Sequence, residues 1–121
     1  MGTPSEHKAK AEHHEAFLAT ISDDFPDWLA TVAFYAAVEY VEQLLSDRGH
    51  HSRDHADRKR ALKQHFPNRQ LNRAYNDLYN ASLDARYLSL GQSPSAKDVR
   101  AILIEKRLRM VREYTQAHIK S

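Results

Sequence analysis

Between Trp28 and Val38 the chain runs for 11 residues without a charge, inside a segment whose apolar residues reach nearly every side of a helix. Pro26 can open that helix, because a first-turn residue has no intrahelical partner for its N–H, and Gly49 can close it. Over 26–47, Leu29, Val32, Ala33, Ala36 and Tyr40 share one face, while Phe34, Val38, Val41 and Leu45 cover another. A helix that is apolar around most of its girth has to be surrounded by other elements, so this segment is expected at the centre of a bundle. Ala33, Ala36 and Ala37 are small enough to let a neighbouring helix approach closely there. The same run falls well short of the roughly 18 apolar residues that a membrane-spanning helix requires, so no membrane partner is expected.

Caps and breakers place four further helices. The first is expected over 5–21, with Phe17, Leu18 and Ile21 as a short apolar stripe and a weakly anchored first half, residues 1–10 being the part expected to fray. A short helix over 54–66 ends at Pro67, with Ala61, Leu62 and Phe66 as its packing residues. A longer one over 69–88 sets Leu71, Tyr75, Leu78, Tyr79 and Leu83 at helical spacing, and the stretch 91–94 should break it. The last starts at Ser95, where Asp98 completes a capping-box pattern, and runs to 119 with Val99, Ile102, Leu103, Met110, Val111 and Tyr114 as its stripe. With three Gly and four Pro in 121 residues, helix propensity prevails throughout, and the expectation is a single all-α domain over 1–121, an up-and-down bundle of four or five helices.

Charge is distributed unevenly. The net charge is +2, yet residues 1–47 hold two Lys/Arg against nine Asp/Glu, while 48–121 hold 16 against seven. Eight of those cations and four His fall between Arg48 and Arg73, a concentration attractive to phosphate, or else a solvated face or a self-association surface. No cysteine is present, which excludes disulfides, thiolate metal sites and Cys nucleophiles and makes a cytoplasmic address the default expectation. The N-terminal residues carry no apolar signal-peptide core. Walker loops, Gly-rich dinucleotide turns, nucleophile elbows and paired-carboxylate signatures are all missing, and no cofactor is expected.

Three stretches, AFYAAVEYVEQLLSDRG, HHSRDHADRKRALKQHF and LYNASLDARYLSL, follow one another in an order and spacing that resembles the HEPN superfamily over about residues 26–91. The matching positions are Phe34, Tyr35, Ala36, Ala37, Leu44, Leu45, Gly49, His55, Leu62 and the run Ala85, Arg86, Tyr87. The resemblance implies an antiparallel four- or five-helix bundle, a homodimer, and either a small nucleotidyltransferase-like protein partner, as in toxin–antitoxin pairs, or RNA. Members that cleave RNA carry an Arg, then four to six residues, then His, so a metal-independent endoribonuclease is the activity implied, although other members have none established. The chemistry is coherent, since His can move a proton at the 2′-hydroxyl or leaving oxygen and Arg can stabilise charge on phosphate.

Spacing alone does not select the pair. Arg48 with His55, Arg58 with His65, Arg60 with His65 and Arg112 with His118 all satisfy it, and chance supplies roughly two such pairs in a chain of this composition. Helix geometry separates Arg112 from His118 by about 120° and about 9 Å unless the helix end frays. Arg58 and His65 share a face about 10 Å apart, which suits two phosphate contacts. His55 and Arg58 are neighbours three residues apart. The candidate catalytic residues are therefore His55, Arg58 and Arg86, with Arg112 and His118 as the alternative pair, and Tyr87, Arg53 and His65 as substrate contacts. A structural reading stands beside this one, with His55 capping or bonding a helix end and Arg86 paired to a carboxylate. His50, His51 and His55 lack an indicated third ligand, so no metal is assigned. The competing function is a dimeric interaction module without RNA cleavage.

Overall fold

The computed structural model describes residues 2–89, 92 and 94–119, and these are helical with no strand. In order they form α1 (Pro4–Leu18), α2 (Pro26–Asp47), α3 (His55–His65), α4 (Arg69–Tyr87) and a final continuous rod. That rod is α5 (Ala96–Asp98), a π-helical stretch (Val99–Leu108) and α6 (Arg109–His118), with right-handed helical backbone angles kept through both junctions. The expected break at 91–94 falls partly outside the described residues, Gly91 and Ser93 among them.

α2 is the central element, lying against α1, α3, α4, the π stretch and α6. Residues on both of its predicted faces are buried, Leu29, Ala33, Ala36, Ala37, Val41, Leu44 and Leu45 almost completely. Its end is a Schellman motif: the His50 N–H donates to the Leu45 carbonyl at 2.9 Å and the Gly49 N–H to that of Ser46 at 3.0 Å, with Gly49 at φ +79°. The turn sends the following loop back along α3, where the Arg48 guanidinium lies 4.6 Å from the centre of the Phe66 ring. Asp54 and Asn68 cap α3 and α4 by accepting the N–H groups of Asp57 and Leu71.

α1 differs from expectation. It begins at Pro4 with a full Thr3–Glu6 capping box, so residues 4–10 are helical. It stops at Leu18, and Phe17, expected in the stripe, is exposed. Ala11 and Leu18 are its only buried residues, and polar contacts supply the rest of its attachment. His7 Nδ1 meets Glu39 Oε1 at 2.8 Å, Arg112 donates to Glu15 Oε1 at 2.6 Å, and the Tyr40 hydroxyl donates to the other Glu15 oxygen. Burial, then the Glu15 carboxylate, pushes the Tyr40 phenol well above its ordinary pKa.

The last helix also corrects the sequence reading. Its buried residues are Val99, Leu103, Leu108, Val111 and Thr115, whereas Ile102 is 45% exposed. A five-residue step from Leu103 to Leu108 would rotate the side chain off an α-helical stripe by about 140°, but the i→i+5 bonding of a π-helix returns it to the same side. Arg100 and Arg107 on this stretch reach Asp23 and Asp77, at 2.7 Å and 3.0 Å, tying the rod to the α1–α2 turn and to α4.

Candidate functional site

His55 is the first residue of α3, where the Asp54 cap aims it at the neighbouring helices. Its ring stacks on Tyr79 of α4 with centroids 3.6 Å apart and planes 14° from parallel, and its edge meets Phe34 of α2 at 6.3 Å. Nδ1 lies 3.2 Å from the Tyr75 hydroxyl. The same hydroxyl oxygen accepts from Arg58 Nη1 at 3.4 Å, while Arg58 Nε donates to Glu42 Oε1 at 2.6 Å. Glu42, Arg58, Tyr75 and His55 therefore form one hydrogen-bonded chain joining α2, α3 and α4.

The Tyr75 oxygen accepts an Arg58 N–H and meets His55 Nδ1, to which it either donates its phenol proton, leaving the imidazole proton on Nε2, or offers its second lone pair to an Nδ1–H. Burial, followed by the charges of Arg58 and Lys59, lowers the His55 pKa below 6.5 and favours the neutral imidazole. Burial works against the Arg58 charge, yet Tyr75 and Glu42 hold its pKa above the ordinary value. Burial raises Tyr75 as well, with Arg58 opposing it. Nε2 has no hydrogen-bond partner among the described residues. The half-buried ring thus leaves Nε2 for a ligand, and in the tautomer where Tyr75 donates to Nδ1 this nitrogen is an N–H donor for a phosphate oxygen.

The other candidates lie elsewhere. Arg86 is exposed and bonds back to its own helix, Nε to the Ser82 carbonyl at 3.1 Å and Nη2 to Ser82 Oγ at 3.4 Å, with its guanidinium 5.8 Å from the Tyr87 ring centre. Seven residues beyond Tyr79, it stands about 10 Å further along α4 than the ring that carries His55. There it lines a recess of about 240 Å³ with Asp27, Trp28, Thr31 and Tyr35. Tyr87 itself points into solvent. Arg53 belongs to the folded-back loop and His65 is the last residue of α3, beside that loop. Asp57 accepts the Arg53 N–H at 3.0 Å and meets His50 Nε2 at 3.3 Å, and these contacts, the backbone one foremost, hold its carboxyl below the usual range. The His50 ring lies 5.9 Å from that of His65.

Arg112 and His118 do not meet as a pair. Arg112 is held by Glu15, while His118 stacks on Tyr114 at 3.8 Å and bonds to its carbonyl at 2.8 Å. Among the described residues no group of three or more His, Cys, Asp or Glu is placed to hold a metal ion.

Glu42, Tyr75, Tyr79 and Phe34, the partners that set the state of His55, escaped the sequence reading as site residues. Tyr75 and Tyr79 stood in the predicted α4 stripe as packing residues; nothing local marks a tyrosine whose hydroxyl serves two helices. No known protein family, curated protein or solved structure matches the chain.

Proposed function

We propose that this protein is an RNA-binding helical bundle of HEPN-like kind in which His55 contacts a backbone phosphate. The observation that carries the reading is the setting of His55: an imidazole positioned by Tyr75 and stacked on Tyr79, whose Nε2 has no partner among the described residues and is a phosphate donor when Tyr75 donates to Nδ1. It stands beside Lys59 on a helix rich in cations. Phosphate recognition needs such donors and cations, and it needs no departing proton. Cleavage asks for more. The Arg58 guanidinium is engaged by Glu42 and Tyr75, and Arg86 is remote, so the arrangement favours binding over catalysis.

Single-stranded RNA carrying a fluorophore, titrated with protein at low salt, is expected to bind in a salt-sensitive manner and to remain intact. His55→Ala should weaken binding several-fold. Absence of binding at low salt removes the proposal, and scission that disappears in His55→Ala would replace it with the endoribonuclease reading.

A second reading, the dimeric interaction module, draws on a separate surface. Phe17, Phe25 and Trp28 are each more than half exposed around a groove of about 470 Å³ at the α1–α2 turn. Exposed aromatic clusters of this kind commonly mark protein contacts. If it pairs two copies, sedimentation at rising concentration should show a dimer that Phe25→Ser with Trp28→Ser dissociates; a wild-type monomer throughout would exclude it.

A further inference from the structure

One turn along α3 from His55, α3 and α4 flank a concavity of about 770 Å³, and no sequence motif marks it. Lys59 and Lys63 line one wall from α3, Arg69 and Arg73 the other from α4, with Asn72 and Asn76 between them. All four cations are exposed. Each wall's pair is separated by four residues, which puts neighbouring Cβ atoms about 6 Å apart on one helix face, close to the spacing of adjacent phosphates along an extended strand. The one carboxylate in the cleft, Asp77, is already neutralised, lying 3.0 Å from Arg107 and 4.0 Å from Arg73. Asn72 is spent on structure, its amide donating to the carbonyls of Phe66 at 3.0 Å and Asn68 at 2.8 Å. The Asn76 side chain has no such partner among the described residues.

A trough lined by cations and amides, with Pro67 as its only apolar residue, has no aromatic ring on which a base could stack, and its concentration of positive charge favours phosphates over bases. It is suited to consecutive phosphates on a linear chain. Lys59 lies about one turn, roughly 6 Å along the axis, beyond His55 on α3, so a strand laid in the trough continues to the imidazole.

We infer that the α3–α4 cleft is a phosphate-chain site that holds several successive backbone phosphates of single-stranded RNA independently of sequence, delivering one to His55. The identity of the chain as RNA rests on the function proposed above; the phosphate-chain site itself does not. Inorganic polyphosphate offers the same chemistry, and an acidic peptide offers only its charge.

The test compares wild type with two four-fold variants of equal net charge. One is Lys59→Ala, Lys63→Ala, Arg69→Ala and Arg73→Ala; the control is Lys8→Ala, Lys10→Ala, Lys97→Ala and Lys106→Ala, at exposed positions outside the cleft. Circular dichroism checks the fold, and the half-variants Lys59→Ala with Lys63→Ala and Arg69→Ala with Arg73→Ala repeat the measurement if the four-fold variant unfolds. Anisotropy is recorded over a salt series with labelled RNA of about 12 nucleotides, in two unrelated sequences, with labelled polyphosphate and with a labelled polyglutamate peptide. The expected result is that cleft replacement weakens both RNAs more than ten-fold and flattens the log–log salt slope by about two to three, while the control changes little. RNA binding that survives cleft replacement, equal losses in both variants, or polyglutamate bound in the cleft as tightly as RNA would each overturn the inference, the first leaving RNA recognition intact. Cleft-dependent binding of polyphosphate with none of RNA would uphold the phosphate-chain site and discard the RNA reading.

Discussion

Tyr75 is where the candidate site and the core become one structure, because its buried ring sits in the α4 stripe while its hydroxyl serves both Arg58 and His55. Tyr75→Phe keeps the ring and removes the shared oxygen, so it should cost about 1–3 kcal/mol of stability, measured by urea unfolding, and weaken RNA binding along with it. A change within experimental error would mean that the hydroxyl does not order His55. The histidines predict a pH dependence whose sign is determined. Burial lowers the pKa of both His14 and His55 below 6.5, so between that value and the folded-state pKa the unfolded chain binds more protons than the native one. Their contribution to stability is therefore complete above 6.5 and is lost as pH falls through the lower folded values. Unfolding midpoints should decline on acidification below 6.5, and His55→Gln should shallow that decline; a profile unchanged by the substitution would contradict the assignment.

At the level of elements, the π stretch carries the largest departure from what periodicity implies. Leu108 is fully buried and Ile102 is 45% exposed, the reverse of an α-helical reading in which Ile102 belongs to the stripe. Leu108→Ala should cost about 2–5 kcal/mol, and Ile102→Ala less than about 1 kcal/mol. Comparable losses at the two positions would show that the rod winds as a regular α-helix. α1 makes a complementary case, since two buried apolar residues do not hold 15 residues in place and Glu15 binds it to both α2 and α6. Glu15→Ala should accelerate amide hydrogen exchange along α1 ahead of α2 and α4, and uniform exchange across the three would argue against this anchoring.

Over the whole molecule, the uneven charge of the chain becomes a set of long-range ties. Glu42–Arg58, Glu15–Arg112 and Asp23–Arg100 each join a carboxylate from the acidic residues 1–47 to a cation from the basic remainder. Such pairs contribute modestly when partly exposed, and salt screens them. Raising sodium chloride from about 0.05 M to about 0.5 M is expected to lower unfolding stability by about 1–2 kcal/mol in total. A gain in stability would mean that repulsion among the clustered cations of α3 and α4 outweighs these ties.

What the chain determined by itself was the set of helices and the centre of the bundle. The uncharged run from Trp28 to Val38, the Pro26 and Gly49 signals and the caps at Asp54, Asn68 and Ser95 act within a few residues, so local physics places them and the structure follows. His55 could be picked out as a candidate for the same reason. Its protonation, its stacking on Tyr79, the engagement of Arg58 by Glu42 and the separation of Arg86 were decided only in three dimensions, as was the basic cleft between α3 and α4. The His55 and Arg58 contacts depend on which faces meet across gaps of 16 to 20 positions or more, and the cleft on how α3 lies against α4. Neither the helical period nor the residue types encode that meeting, because it is set by how α3 and α4 pack around α2.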